Sequence, residues 1–99
     1  MASNRILHVV IHGRVQGVGF RAWTHHQAEL HGLKGWVRNR RDGTVEAVFS
    51  GSDQEIEAML KACRQGPRGA VVERIEPVEA DPDAADINGD SPFEVRATH

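Results

Sequence analysis

The stretch Gly13-Arg14-Val15-Gln16-Gly17-Val18-Gly19-Phe20-Arg21 constrains this chain more than any other. An apolar run ending at Ile11-His12 enters it, and an amphipathic segment starting near Phe20 leaves it. Between the two lie three glycines, Gly13, Gly17 and Gly19, and no Asp or Glu. A joint from strand through glycine loop to helix leaves backbone N–H groups unpaired at the helix start, where the peptide dipoles favour negative charge. Such a joint is an anion cradle in form, and glycines let a ligand come close to the main chain. Arg21 sits in the first helical turn, where its charge opposes the dipole unless an anion lies between them. Its planar guanidinium suits phosphate or carboxylate. From the residues alone two readings of Arg21 stand side by side, an anion ligand and a surface salt-bridge residue. The pattern is neither the Gly-x-Gly-x-x-Gly of dinucleotide sites nor the Gly-x-x-x-x-Gly-Lys of a P-loop.

The elements around the loop follow from periodicity. Leu7, Val9 and Ile11 alternate with His8, Val10 and His12, which predicts a strand over Arg5–His12 covered on one side. A helix is expected over Phe20–His31, with Phe20, Trp23 and Leu30 on its apolar side, Ala28 further round and Gly32 as its stop. Gly35–Asn39 reads as a second strand, Arg40-Arg41-Asp42-Gly43 as a hairpin turn, and Thr44–Ser50 as the returning strand. Ser52 and Glu55 form a capping box ahead of Ile56, Met59, Leu60 and Cys63 at helical spacing, and Gly66-Pro67 ends that helix. Val71–Val78 is a fourth strand that Pro77 confines to an edge or cuts short. The acidic, turn-rich residues Ala80–Pro92 read as a loop, and Phe93–Arg96 as a short last strand.

The order βαββαβ, with a small extra strand, predicts an α+β fold: a ferredoxin-like sandwich of an antiparallel sheet with two helices on one face. One consequence is geometric. If the first strand runs up, the first helix runs down and the second strand runs up, so the glycine loop and Asn39 share one end of the sheet. Asn39 on its own reads more readily as a residue that helps to start the hairpin than as a site residue.

Composition narrows the function classes. Ninety-nine residues suggest one domain over 1–99. No apolar run approaches the roughly 20 residues of a membrane span, and no apolar signal segment precedes the first strand. One cysteine, Cys63, excludes an internal disulfide and fits a reducing cytoplasm. The net charge of −2 argues against a dedicated nucleic-acid binder. Residues 1–49 carry seven Lys/Arg against three acids, and residues 50–99 carry five against eleven. The positive half holds the glycine loop, which suits a small anionic ligand. The six histidines show no metal-ligand spacing, and Asp86-Ile87-Asn88-Gly89-Asp90 has its glycine and distal acid misplaced for a calcium loop.

Two stretches of this chain resemble the signatures of the acylphosphatase family. The first is Gly13–Arg21; the second is Gly35-Trp36-Val37-Arg38-Asn39 followed by Asp42-Gly43-Thr44-Val45-Glu46. The spacing between Arg21 and Asn39 fits as well, and the resemblance runs over nearly the whole chain. It implies the ferredoxin-like fold and hydrolysis of acyl phosphates to a carboxylate and inorganic phosphate, with no metal and no cofactor. It places the catalytic arginine at Arg21, the catalytic asparagine at Asn39, and the phosphate-binding loop at Val15, Gln16, Gly17, Val18, Gly19 and Phe20. The expected partner is a small-molecule acyl phosphate, with no nucleic acid and no membrane, acting on a cytoplasmic monomer. The chain departs from the family at His31, where relatives carry Leu, at Arg40, and at its Ala97-Thr98-His99 ending. Two other functions fit the same fold. One is a non-catalytic acyl- or carbamoyl-phosphate-binding domain, as in hydrogenase-maturation carbamoyltransferases. The other is an RNA-binding module, which the scarcity of aromatic residues argues against.

Overall fold

The computed structural model describes residues 5–79 and 91–99. In chain order the elements are β1 (Arg5–Arg14), α1 (Phe20–Leu30), β2 (Lys34–Asn39), β3 (Val45–Gly51), α2 (Asp53–Gln65), β4 (Val71–Glu79) and β5 (Glu94–Val95). They build one five-stranded sheet in the order β4-β1-β3-β2-β5. Most of the loop expected over residues 80–92, including the Asp86–Asp90 stretch, lies outside the described residues.

Side-chain alternation on the strands fixes the register. Val9 faces Ala47 across β1–β3, and Ala47 faces Val37 across β3–β2. All three are fully buried, so a slip of one residue would turn a complete row of the core out to water. Leu7, Ile11, Val45 and Phe49 continue that face, and both helices cover it. Burying each such side chain stabilises the fold by about 1.5–3 kcal/mol.

The second helix forms as its sequence signals require. The Ser52 hydroxyl accepts from the Glu55 N–H, and the Glu55 carboxylate accepts from the Ser52 N–H, which completes the capping box. Ile56, Met59, Leu60 and Cys63 are its buried face. The first helix differs from the expected stripe. Its buried residues are Phe20, Thr24 and Ala28, whereas Leu30 is exposed and Trp23 only partly buried. Thr24 is tolerated in the core because its hydroxyl donates to the Phe20 carbonyl one turn back, at 2.8 Å.

The sheet also departs from a purely antiparallel one. The four long strands pair antiparallel, but β5 pairs parallel with β2, setting Trp36 beside Glu94 and Val37 beside Val95. Strand β1 runs two residues beyond its expected end, through a register shift between His12 and Gly13. Pro77 lies within β4 at the sheet edge, where its missing N–H costs no ladder bond to a further strand.

The face away from the helices carries a polar cluster. Glu46, only 8% exposed, accepts from Arg38 Nε at 2.6 Å and pairs with His8 Nε2 at 2.6 Å. The guanidinium carbons of Arg38 and Arg96 lie 4.6 and 4.8 Å from the Trp36 ring centre.

Candidate active site

The site is made where β1 hands over to α1. Gly19 is the N-cap of α1, in the left-handed region at φ 75° and ψ 24°, with no side chain capping the helix start. No acidic residue lies in the first turn. The usual side-chain acceptors of a helix N-terminus are therefore missing, and the dipole end stays open to an anion.

Strand β2 delivers Asn39 to the same end of the sheet, because β1 and β2 both run antiparallel to β3. A cavity of about 350 Å³ joins the two. Val15, Gln16, Gly17 and Gly19 line it from the loop, Phe20, Arg21 and Ala22 from α1, Asn39 from β2 and Val95 from β5. The residues singled out in the sequence thus meet in one place, with one exception. Val18 is absent from the lining and packs against the hydrophobic core.

Two polar residues that line this cavity, Arg21 and Asn39, have side chains without protein partners among the described residues. Among the described residues, neither the Arg21 guanidinium nor the Asn39 side-chain amide makes a hydrogen bond or ion pair. Both residues are half-buried. A positive fork and an amide held beside an open helix start can bind a tetrahedral anion and a polar neighbour at once.

Gln16 has a different part. Its Nε2 donates to the carbonyls of Arg40 at 2.7 Å and Thr44 at 2.9 Å. Both amide protons are spent on the hairpin turn, so any donation from Gln16 to a bound anion falls to its main chain. The turn is itself fixed by Asp42, which accepts from the Thr44 N–H at 3.0 Å and the Thr44 hydroxyl at 2.6 Å. Those two bonds hold the Asp42 carboxyl below its ordinary range. The glycine loop and the strand end bearing Asn39 are therefore tied into one unit. A second tie comes from the tail, where the His99 N–H donates to the Asn39 carbonyl at 3.0 Å and the Arg41 N–H to the His99 carbonyl at 3.3 Å.

Sequence reasoning did not find Ala22 or Val95 as lining residues, nor the tail's contact with Asn39. Val95 and the tail depend on where β5 docks, and two residues of strand carry no local signal of that. Among the described residues, no group of three or more His, Cys, Asp or Glu side chains is placed to hold a metal ion. Among the described residues, no helix is long and apolar enough to cross a membrane.

The family model described as Acylphosphatase matches residues 7–94. A curated acylphosphatase of Azorhizobium caulinodans is 66% identical over 70 residues, which make up 71% of this chain and 75% of that protein. An acylphosphatase of a Synechococcus species is 54% identical over 97 residues, covering 97% of this chain and 98% of that one. The solved structure of an acylphosphatase from Coxiella burnetii matches with a TM-score of 0.84 at 33% identity, over 94% of this chain and 93% of that chain.

Proposed function

This chain belongs to the acylphosphatase family, and we propose that it hydrolyses the carboxyl–phosphate bond of acyl phosphates, with Arg21 on the phosphoryl group and Asn39 on the attacking water. The observation that carries the assignment of roles is the pair of unpartnered polar side chains, Arg21 and Asn39, converging on one cavity at an uncapped helix start.

The chemistry asks little else of a protein. The leaving group is a carboxylate, a weak base with a pKa near ~4, so its departure needs no general acid. Phosphoryl transfer then depends on positioning and on stabilising charge over the phosphoryl oxygens. The main chain of Val15–Phe20 and the Arg21 guanidinium supply that charge. The Asn39 amide oxygen accepts from a water and orients it in line with the breaking P–O bond. An amide is too weak a base to take the proton, which passes to the phosphoryl oxygens. Water attacks phosphorus, the bond to the carboxylate breaks, and inorganic phosphate and a carboxylate leave. Acetyl phosphate, carbamoyl phosphate and 1,3-bisphosphoglycerate are of the class expected as substrates.

The chain acts in this reading as one domain, a monomer in the cytoplasm that needs no metal. Service as a non-catalytic domain of a larger carbamoyltransferase is not favoured, since the chain is 54% identical to the Synechococcus acylphosphatase. The test is phosphate release from benzoyl phosphate in the presence of a chelator. Wild type should turn over, and Arg21→Ala and Asn39→Ala should each lose about 10²–10³ in rate while keeping the circular dichroism of the wild type. A folded but inactive wild type would sink the enzyme reading. Undiminished activity in either variant would remove that residue from the mechanism.

A further inference from the structure

The phosphoryl chemistry leaves one wall of the cavity without a task. A phosphoryl group fills only part of about 350 Å³, a volume at the lower end of those that hold small organic ligands. Among the lining residues, Ala22 of α1 and Val95 of β5 add apolar surface that the phosphoryl chemistry does not use. Val95 is 48% exposed, and among the described residues the large hydrophobic side chains left so open are Leu30, Val71 and Val95. Of these three, Val95 alone lines the cavity. Its place follows from the parallel pairing of β5 with β2, which sets Val95 beside Val37. Paired neighbours in a sheet share a face. Val37 belongs to the helix-covered core, so Val95 stands on the helix side, level with a residue two positions before Asn39.

We propose that Val95, with Ala22, is the wall against which the acyl group of the substrate seats, and that it makes the enzyme selective for apolar alkyl and aryl acyl phosphates over those with a charged acyl group. This rests on the acyl-phosphate reading of the site. The physical ground is desolvation. An apolar acyl group laid on a half-exposed valine removes water from both surfaces, worth about fourfold in binding for each methylene-sized group covered. A charged acyl group would lose hydration there and find no polar partner on that wall.

The test compares kcat/KM for benzoyl phosphate and acetyl phosphate in wild type, Val95→Thr, Val95→Ala and Val71→Thr. The threonine keeps the branched shape and strand preference of valine but presents a hydroxyl to the acyl group. Both Val95 variants should lower the benzoyl-to-acetyl ratio by about fivefold, mainly by raising KM for benzoyl phosphate. Val71→Thr, an equally open valine away from the cavity, should leave the ratio as in wild type. An unchanged ratio in folded Val95 variants, with wild type active on both substrates, overturns the proposal and leaves the enzyme reading intact. Wild type inactive on both substrates overturns the enzyme reading and this proposal together.

Discussion

The main chain of His99 holds the main chain of Asn39: the His99 N–H lies 3.0 Å from the Asn39 carbonyl, and the His99 carbonyl receives the Arg41 N–H. The residue proposed to orient water is therefore clamped on one side by β3 and on the other by the tail.

Replacing His99 by Pro deletes that donor and touches no side chain of the site. A backbone hydrogen bond is worth about 1 kcal/mol net, or roughly fivefold. kcat should fall by about that factor through looser placement of Asn39, with KM for the phosphoryl group held by Arg21 little changed. Steady-state kinetics with a melting curve separate this from a loss of fold.

Gln16→Met keeps the length of the side chain and removes both donors to the turn. Both carbonyls lose a Gln16 donor, while Thr44 O retains the Arg40 N–H at 2.9 Å and Arg40 O retains the Gly43 N–H at 3.1 Å. The expected cost is about 1–2 kcal/mol in urea unfolding. Activity should drop more steeply than stability, because the loop and the strand end are no longer tied together.

Glu46 sets part of the acid stability. Burial pushes its carboxyl up, but hydrogen bonds from Arg38 and His8 outweigh that and hold it below its ordinary value of 4.5. Its folded value lies below the unfolded one, so the stabilisation is complete above about pH 4.5 and is lost as the pH falls through the folded value. Urea midpoints measured between neutral and acid pH should show wild type weakening in that window. Glu46→Gln should be weaker than wild type at neutral pH and flatter in the same window. Asp42, Glu55 and Glu76 are also shifted down, by hydrogen bonds with Thr44, Ser52 and His12, so the difference between wild type and Glu46→Gln isolates the share of Glu46.

Two glycines should respond differently to alanine. At Gly19 a Cβ meets nothing within 4 Å, so Gly19→Ala costs only the left-handed backbone, about 1–2 kcal/mol. At Gly35 the added carbon would lie 1.8 Å from the Val48 carbonyl oxygen, inside the β2–β3 ladder. Gly35→Ala should exceed about 3 kcal/mol, beyond ordinary overpacking. Thermal unfolding of the two variants reads the difference directly.

The sequence signals that held were those carried by short-range physics. Ser52 and Glu55 are three residues apart, and the capping box they spell forms. The meeting of the glycine loop with Asn39 was legible for a topological reason, since a crossover returns the chain to the same end of the sheet. Burial on α1 was not legible in this way. Leu30 looked like core and is exposed, while Thr24, outside the expected apolar stripe, is fully buried, because a hydroxyl that bonds its own helix behaves as a small apolar group. Val95 and His99 were beyond reach for another reason. Their neighbours Val37 and Asn39 lie far back in the chain, and a two-residue strand has too little pattern to announce its partner.

The docking of β5 also bears on how copies of this chain behave towards one another. Without it, β2 would present an unpaired row of N–H and C=O groups along the strand that ends in Asn39, a template for a neighbouring chain. Glu94 and Val95 pair with its middle, Arg96 donates to Val37 and His99 to Asn39, so that row is occupied from within. At the opposite border of the sheet, Pro77 lies within the outermost strand and has no N–H to offer a partner. The same nine residues, 91–99, that set Val95 beside the cavity thus also cover the edge of β2.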